Sequence, residues 1–523
     1  MKKVSRRGFL GMAAASLGVA ATSGCTGDGL GDGGAGCSDA SGPPDSGDAG
    51  AGGGCTAAQD LPVMAETDVL VVGGGPAGIA AAIAAARAGA KTMLVERYGF
   101  FGGVITQSIM GSITWYRYAK TVDAGGVCAE IEAKAHAMGG SINLLEVIQD
   151  PAINALLRAL AEDAGLVKGG KPTYEILRTE LFKAVADAMI VEEGITPLLH
   201  TMVVGVLMDA SSIRGVITES KSGRQVILAK RVVDASGDAD VAFHAGAPFS
   251  KAPREELMEV TTNFSCGNVD LSAFLAYVWQ QNRTMADWID DDCGKEKGMF
   301  SSHVFQAFKD AADAGEIPKD VVIKAFPGGF TGGGSVLSLN AVHLYGAVDP
   351  TDVWDLTWAE MEGRRRVLMA MDVLRKRVPG FEKAELSMIA PSLGCRESRK
   401  ILGGYLLTGQ EVRSEARFDD SIGVFPEFVD GYGILCLPTT GRYYQVPYRI
   451  TVPQGVENLL VAGRCVAGDR HSHASTRQMA CCMVTGQGAG VAAAVSLQDG
   501  TTCRDVDIAK VQSTLTSQGV RIA

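Results

Sequence analysis

The first strong pattern in the chain is an uninterrupted apolar run at residues 69–72, which is typical of a parallel strand buried on both faces. A segment rich in small residues follows from about Pro76 to Ala88 and has the composition of a buried helix. A second apolar run then ends at Glu96. This order predicts a strand, a helix and a second strand parallel to the first.

Further stretches extend the pattern. Residues 201–234 contain three apolar strands separated by polar turns, and residues 459–462 form another apolar strand, followed by small and apolar residues at 479–497. The segment 172–189 has helical spacing. One side of that predicted helix comprises Ile176, Leu177, Leu181, Phe182 and Val185.

A glycine motif, G-x-G-x-x-G, directly follows the first predicted strand. Gly73 allows a sharp turn from strand to helix, Gly75 lets the backbone approach a pyrophosphate, and Gly78 lets the helix pack closely on the strand. The helix N-terminus, with Pro76 and Ala77, offers unpaired N–H groups to a phosphate.

Glu96 lies 23 residues after Gly73, at the end of the second strand, where its carboxylate can accept hydrogen bonds from a ribose. In this context the glycine motif predicts a dinucleotide site. A glycine-rich turn that binds no ligand is the alternative.

Three blocks resemble FAD-binding flavoproteins of the glutathione-reductase superfamily. They are the glycine motif with the sequel "ERYGFFGGVIT", the segment "DASGDAD", which is similar to a "DATGD" motif, and the segment that begins "NLLVAGR". The resemblance implies bound FAD and a helix N-terminus near the flavin. The residues that it places at FAD, besides the first glycine block, are Arg97, Gly102, Gly103, Asp234, Gly237, Asp238, Gly463, Arg464, Cys481 and Cys482.

Over roughly residues 66–497 the chain is similar to the FAD-dependent oxidoreductases grouped with the heterodisulfide reductase A-like proteins. It departs from them because no C-x2-C-x2-C run exists, so no iron–sulfur cluster is expected. A second G-x-G-x-x-G that follows a predicted strand, which an NAD(P)H domain would need, is also missing, because the matches at 29–34 and 31–36 lie in a Gly-rich stretch without strand pattern. The glycine-rich stretch 328–335 is predicted to be a loop near the active site.

The predicted fold class is α/β: a discontinuous, Rossmann-like FAD-binding domain with a parallel sheet and helices, plus an inserted α+β substrate or cap region. The order of the three blocks requires this discontinuity. The FAD domain is assigned to 63–110, 171–245 and 454–500, the substrate or cap region to 111–170 and 246–453, and a C-terminal tail to 501–523.

The N-terminus predicts export rather than fold. Residues 1–24 carry Arg6-Arg7 before an apolar stretch, which resembles a twin-arginine signal peptide. Small residues before Cys25 resemble a lipoprotein cleavage box, and ordinary signal cleavage near residues 20–23 is the alternative. The predicted location is therefore periplasmic, or extracytoplasmic with a membrane anchor at Cys25.

Residues 25–62 read as a flexible linker of Gly, Ala and Asp, within which Cys37 and Cys55 could form a disulfide. The formal net charge of -11 argues against a nucleic-acid partner. The expected partners are a small-molecule substrate and an electron donor or acceptor of unknown kind.

Candidate catalytic residues lie in two stretches of the predicted cap. In "GCRESR", Arg396 and Arg399 are expected to be helix neighbours that clamp a substrate carboxylate. An internal ion pair with Glu397 is the alternative. In "GRYYQVPYR", Tyr443 and Arg449 could bind a polar substrate, or their segment could simply pack as a strand.

The stretch 464–482 contains Arg464, His471, His473, Arg477 and the adjacent pair Cys481-Cys482. Adjacent side chains on a helix diverge by about 100°, so this pair is not expected to chelate a metal or to form an easy disulfide. His471 or His473 is instead a candidate acid or base, or a substrate contact, beside the flavin, and Arg464 and Arg477 are candidate contacts for FAD or substrate. The lone His343 is expected to be structural.

These patterns predict an exported FAD-dependent dehydrogenase or reductase that acts on a small polar substrate, carboxylated or sugar-like. Its electrons would pass to a quinone, a cytochrome, a protein partner or oxygen. Two alternatives stay open. One is a lipid-tethered FAD-containing binding or electron-transfer protein without its own turnover, and the other is a flavin monooxygenase.

Overall fold

The structure is a computed structural model. It describes residues 61–113, 123–142, 151, 154–155, 167–168, 171–172, 176–280, 301–321, 327–331, 333–344, 346, 348–432, 434–436 and 441–523. The predicted signal peptide, Cys25, Cys37, Cys55 and nearly all of the linker lie outside the described residues.

Helices are interspersed with groups of successive strands along the described chain. The strands are β1 (Val63–Val72), β2 (Thr92–Val95), β3 (Ser141–Ile142), β4 (Val167–Lys168), β5 (Lys171–Pro172), β6 (Ile176–Leu177), β7 (Thr196–Leu198), β8 (Met202–Asp209), β9 (Ser212–Ser220), β10 (Gly223–Asp234), β11 (Phe249–Ser250), β12 (Val260–Gly267), β13 (Pro327–Phe330), β14 (Val336–Leu344), β15 (Glu385–Ile389), β16 (Lys400–Ile401), β17 (Ser421–Pro426), β18 (Val429–Gly431), β19 (Ile434–Cys436), β20 (Tyr443–Pro447) and β21 (Leu459–Val461). The helices are α1 (Pro76–Arg87), α2 (Val104–Gln107), α3 (Gly126–Ala137), α4 (Thr179–Glu192), α5 (Asp240–His244), α6 (Leu271–Gln280), α7 (Ser301–Asp313), α8 (Val353–Arg377), α9 (Gly409–Arg413), α10 (Arg470–Thr476), α11 (Met479–Gln498) and α12 (Ile508–Ser517), with 3-10 turns at Arg254–Glu256 and Tyr448–Thr451.

The largest sheet has the order β7-β2-β1-β10-β9-β8, and β21 pairs with the last residues of β10. Strands β7, β2, β1, β10 and β21 are parallel, whereas β9 and β8 form an antiparallel extension. Because the carboxyl ends of parallel strands meet at one edge, the loops after β1, β2, β10 and β21 converge there.

A second sheet, β13-β14-β12-β15, is antiparallel, and α8 packs against β12 and β14. Buried apolar residues between Phe264 and Ala384 form a core of their own around this sheet. Buried residues between Ile401 and Val456 belong instead to the core of the large sheet. The parallel sheet with its helices and this additional sheet confirm the predicted α/β fold class; the domain boundaries themselves stay predictions.

Two local predictions are wrong. The helix predicted at 172–189 is strand β6 followed by α4, and Leu181 is 45% exposed rather than on the buried side. The stretch 328–335 is not wholly a loop, because residues 327–330 pair with β14 as strand β13. In both cases a short segment becomes a strand because it pairs with another strand, β3 for β6 and β14 for β13. Neither segment shows a strong alternation of polar and apolar residues.

Helices α1 and α11 pack together with unusually close backbones. A Cβ added at Gly486 would overlap the carbonyl oxygen of Ala77, and one added at Gly490 would overlap that of Ala81. Helix α11 is long and apolar enough to span a membrane, but 94% of that stretch is buried inside the protein, as in a core helix. The sequence of α11 therefore serves close helix packing.

Replacing Gly490 with valine should destabilise the fold. The new side chain would overlap the backbone of α1, so we expect the free energy of unfolding to fall by about 3 kcal/mol or more. Denaturant unfolding of the purified protein measures this. Gly267→Ala is the matched control, because a Cβ there meets no atom within 4 Å. Equal stability of the two variants would contradict the packing argument.

Candidate active site

The turn after β1 requires glycine at two positions. Gly73 has a φ of +100°, and a Cβ there would overlap the carbonyl oxygen of Ala235 in the turn after β10. A Cβ at Gly78 would overlap the carbonyl oxygen of Gly73. The two glycines thus bring α1 against the ends of β1 and β10.

Gly75 differs from these two because packing does not require a glycine there. Its φ is -76°, and an added Cβ would meet only the Cα of Gly103, at 3.6 Å. Gly75 is the N-cap of α1 and no side chain caps this helix end, which begins at Pro76 and Ala77. The open approach and the uncapped N–H groups fit a bound pyrophosphate.

A second glycine pair lies directly over this turn. Gly102 and Gly103 have φ values of +118° and +51°, and Gly102 N–H donates to the carbonyl of Gly74 at 2.8 Å. A Cβ at Gly103 would lie 2.6 Å from the Cα of Gly75. The pair therefore holds α2 and the loop after β2 against the N-terminus of α1.

Glu96 lies at the carboxyl end of β2 and is buried. Its oxygens accept hydrogen bonds from the N–H of Gly74 at 2.6 Å and of Tyr98 at 3.0 Å. Burial raises the pKa of this carboxyl despite those bonds. Each oxygen keeps a lone pair, so the carboxylate remains able to accept ribose hydroxyls beside the glycine turn.

Asp234 ends β10 and shapes the next turn. Its side chain accepts hydrogen bonds from the N–H groups of Ser236 at 3.0 Å and Ala242 at 2.9 Å. Complete burial raises its pKa to about 6. The backbone thus engages both carboxylate oxygens, and the side chain fixes the loop that carries Gly237 and Asp238.

Asp238 joins the turn after β10 to the turn after β21. Its Oδ1 accepts from Arg464 Nη2 at 2.5 Å and from Ser398 Oγ at 2.6 Å. Burial acts to raise the pKa of Asp238, but Arg464 and Ser398 together lower it below its usual value. Gly237 lies directly against the Arg464 side chain, because a Cβ added at Gly237 would be 3.1 Å from the guanidinium carbon of Arg464.

Additional charges surround this ion pair. Arg399 donates to the carbonyl of Asp238 and to Asp240 Oδ1, both at 3.0 Å. Arg97 interacts electrostatically with Asp238 and Asp240, and its guanidinium carbon lies 4.9 Å from the ring centre of Tyr98. Arg464 Nε is buried without a hydrogen-bond partner among the described residues. An orphaned guanidinium N–H at this edge fits an anionic cofactor.

The turn after β21 completes the edge. Gly463 has a φ of +89°, its N–H donates to Thr485 Oγ1 at 3.0 Å, and an added Cβ would lie 3.2 Å from that of Ala77. The first turns of α1 and α11 therefore meet at Gly463. This brings the predicted cofactor residues of all three sequence blocks to one edge of the sheet.

The cysteine pair is buried in the first turn of α11, and neither thiol forms a disulfide. Burial raises the pKa of Cys482 to about 12 and that of Cys481 further. Cys482 Sγ lies 3.3 Å from the carbonyl oxygen of Arg477. Within the described ranges, no three His, Cys, Asp or Glu side chains are grouped to hold a metal.

A second cluster of polar side chains lies at the start of β12, in the sheet β13-β14-β12-β15. Glu259, just before β12, lies 2.5 Å from Arg396 Nη1 and 3.4 Å from His343 Nδ1. His473 Nε2 lies 3.1 Å from the carbonyl oxygen of Arg396. Through Arg396, these contacts connect α10 to the sheet that contains β12.

The helix predicted around Arg396 is wrong. The segment between β15 and β16 is irregular, so Arg396 and Arg399 diverge to Glu259 and Asp240 rather than forming one clamp. Glu397 pairs with Lys400 at 2.5 Å. The alternative of an ion pair between Glu397 and these arginines is therefore also wrong.

Other candidates from sequence lie elsewhere. Arg449 is an exposed residue that pairs with Asp420 at 2.9 Å and covers the ring of Tyr405. The ring of Tyr443 stacks with Arg417. The structure does not bring either into a contact with Arg396 among the described hydrogen bonds and ion pairs. His471 is exposed.

Sequence reasoning missed Ser398, Asp240, Glu259 and Thr485. Their partners are remote in the chain, since Ser398 and Asp238 are 160 residues apart and Glu259 and Arg396 are 137 apart. No local spacing marks such pairs. Glu259 directly precedes the β-branched residues Val260, Thr261 and Thr262, which favour a strand, and this was a weak local signal.

Comparisons with known proteins bear on the family of the chain. Residues 68–515 match the model of a family described as FAD dependent oxidoreductase. The mitochondrial dihydrolipoyl dehydrogenase of Pisum sativum is 34% identical over 118 residues, 21% of this chain and 22% of that protein. A tRNA uridine 5-carboxymethylaminomethyl modification enzyme of Lactobacillus gasseri is 33% identical over 180 residues, 33% of this chain and 27% of that protein.

The chain thus spans about a quarter of the length of these curated relatives. Among solved structures, a geranylgeranyl bacteriochlorophyll reductase-like protein from Thermoplasma acidophilum matches with 15% identity and a TM-score of 0.42. That match covers 87% of this chain and 83% of the other.

Gly75→Ala should weaken FAD binding while leaving the fold intact. The added methyl group fits against Gly103 but occupies the approach to the pyrophosphate, so we expect the dissociation constant to rise at least about tenfold, or about 1.4 kcal/mol. Fluorescence titration of the cofactor-free protein with FAD measures this. Gly73→Ala, which would overlap Ala235, should instead lower the melting temperature. Unchanged FAD affinity in Gly75→Ala would contradict the assignment.

Proposed function

Because the chain belongs to the family of FAD-dependent oxidoreductases, we propose that it is a dehydrogenase or reductase for a small polar substrate. A carboxylated substrate is favoured over a sugar-like one. FAD supplies two-electron chemistry when bound. The protein's own residues then have to bind the cofactor, orient the substrate and move a proton.

The residues that would hold FAD are those at the carboxyl edge of the large sheet. The N-terminus of α1, at Gly75 and Pro76, would receive the pyrophosphate, and Glu96 would accept ribose hydroxyls. Arg464 would direct its orphaned Nε–H toward the cofactor. Its pairing with Asp238 keeps this guanidinium fixed before the cofactor binds.

One observation carries the choice of a carboxylated substrate: Arg396 is a largely buried cation with donors to spare. Its side chain is 15% exposed, and one carboxylate, Glu259, holds Nη1. Burial acts to raise the pKa of Glu259, but His343 and Arg396 lower it to about 2. Glu259 therefore stays ionised and fixes Arg396, whose remaining N–H groups support a second, substrate carboxylate.

The electron partner is part of the same proposal. A quinone, a cytochrome, a protein partner and oxygen all accept electrons from flavoproteins of this kind.

The narrower grouping with the heterodisulfide reductase A-like proteins is supported by the sequence motifs around residues 355–366 and 379–408. A binding protein without turnover and a monooxygenase are the outcomes that the following experiment separates from a dehydrogenase.

Anaerobic titration of the FAD-loaded protein with organic acids, sugars and amino acids tests the function. We expect a carboxylated compound to bleach the visible flavin absorbance. In Arg396→Ala the half-saturating concentration should rise at least about tenfold, because a charged hydrogen bond is lost. Arg224→Ala, which removes an exposed ion pair with Glu219, is the control.

Several results would count against the proposal. Bleaching by no compound, with no reoxidation of the reduced protein by any acceptor, would favour a binding protein. Oxygen consumption driven by NAD(P)H and coupled to product would favour a monooxygenase. The same titration on Arg449→Ala and Tyr443→Ala tests those two sequence predictions.

We further propose that the protein is exported by the twin-arginine route and is tethered through a lipid on Cys25. The arginine pair and the small residues before Cys25 support this. Replacing Arg6 and Arg7 with lysine should leave the protein in the cytoplasm, as measured by cell fractionation. Cys25→Ser should be exported but released from the membrane. An extracytoplasmic location that survives the double lysine substitution would refute the twin-arginine route.

A further inference from the structure

We propose that His473 and Arg477 form a subsite for a 2-hydroxycarboxylate, in which Arg477 Nε binds the carboxylate and His473 Nδ1 accepts the hydroxyl proton. This inference rests on the proposed function and names its substrate class. The two residues bracket the end of α10, four positions apart, so their side chains lie on the same side of the helix.

The tautomer of His473 follows from its one contact. Nε2 lies 3.1 Å from the carbonyl oxygen of Arg396, and a carbonyl can only accept, so Nε2 carries the hydrogen. Nδ1 is then an unprotonated acceptor. The ring is 1% exposed, and Nδ1 has no hydrogen-bond partner among the residues that the structure describes. A buried acceptor in this state calls for a donor from a ligand.

Arg477 supplies the complementary group. Its side chain is 11% exposed, and Nη2 donates to the carbonyl oxygen of Asp430 and, at 3.1 Å, to its Oδ2. Its Nε–H is buried and has no acceptor within the described part of the chain. Arg477 Nε is thus a charged donor without an acceptor, and it lies one helical turn from His473 Nδ1, an acceptor without a donor. This pair fits a ligand that carries a carboxylate next to a hydrogen-bond donor.

The surroundings place this subsite between the cofactor edge and the cap. The carbonyl of Arg477 contacts Cys482 Sγ, which would lie 4.0 Å from a Cβ at Gly463. The carbonyl of Arg396 contacts His473, and Arg396 itself pairs with Glu259. Burial and the neighbouring cation Arg396 both lower the pKa of Arg477, so the two guanidinium groups act on each other, and in this proposal they share the one substrate carboxylate.

The donor group of the ligand is better a hydroxyl than an ammonium. Burial, followed by the positive charges of Lys400 and Arg477, lowers the pKa of His473 well below its usual value. The same positive potential disfavours a second cation at Nδ1. A neutral hydroxyl meets no such penalty, and His473 would accept its proton once the negative charge of the bound carboxylate offsets the positive potential.

The step balances as an oxidation of the hydroxyl-bearing carbon. The O–H bond breaks and its proton passes to His473 Nδ1. The C–H bond breaks, and its hydrogen leaves as a hydride with the electron pair; bound oxidised FAD would supply the two-electron acceptor. The carbon–oxygen bond becomes a double bond, so the product is a 2-oxo acid. The reverse step reduces a 2-oxo acid.

Pairs of acids that differ by one hydroxyl test the subsite on the FAD-loaded protein. The probes are lactate with propionate, malate with succinate, and mandelate with phenylacetate. We expect at least one 2-hydroxy acid to bleach the flavin anaerobically, or its 2-oxo acid to reoxidise the reduced protein. The matching deoxy acid should raise the melting temperature without any redox change.

Two variants separate the roles. Arg477→Gln should raise the dissociation constants of both acids of a pair at least about tenfold, measured by the thermal shift. His473→Gln keeps a donor for the carbonyl of Arg396 but removes the Nδ1 acceptor. It should leave the deoxy acid affinity within about threefold while slowing flavin reduction about a hundredfold or more. Arg470→Gln, on the exposed side of α10, is the control.

The failures are distinguishable. Bleaching by amino acids or sugars but by no 2-hydroxy acid would overturn the subsite and leave an oxidoreductase of small polar substrates standing. Loss of FAD, rather than of acid binding, in Arg477→Gln or His473→Gln would assign these atoms to the cofactor and overturn the proposal. Unchanged acid affinity and unchanged reduction rate in both variants would overturn it as well.

Discussion

The contact on which the site depends is the close approach of α1 to α11. Gly486 and Gly490 leave no side chain between the two helices, so the backbones touch at Ala77 and Ala81. Because both helices are almost fully buried, neither can shift without opening the core. Their first turns then meet at Gly463, and this brings the glycine turn after β1 next to the turn after β21.

Charge is distributed over that edge in pairs. Arg464 is held by Asp238, Arg396 by Glu259 and Arg477 by Asp430, each pair linking segments that are far apart in the chain. Burying single charges would be costly, whereas paired charges with hydrogen bonds are tolerated and fix orientation. What the pairs leave unmet is informative, since Arg464 Nε, Arg477 Nε and His473 Nδ1 are buried without a hydrogen-bond partner among the described residues.

The stretch 464–482 shows how packing assigns chemistry. Its cysteines are the residues that suggest a metal or a dithiol, yet burial raises their thiol pKa values and keeps them protonated. Its histidines separate by position alone, since His471 is exposed and His473 is buried against the main chain of Arg396. The buried side-chain atoms of this segment that lack a hydrogen-bond partner among the described residues are nitrogens of Arg464, His473 and Arg477.

The sequence by itself determined the α/β class and the first cofactor block, because the glycine spacing, the apolar strands and Glu96 act over fewer than about 30 residues, the length of one βαβ unit. It also marked the second and third blocks, since each is a strand followed by a turn. It failed around Arg396, where the local pattern favours a helix and the contacts to Glu259 and Asp240 impose an irregular segment. Only the tertiary structure decided which arginine meets which carboxylate and which histidine is buried, because those contacts join residues 47 to 226 positions apart, and nothing in local spacing encodes them.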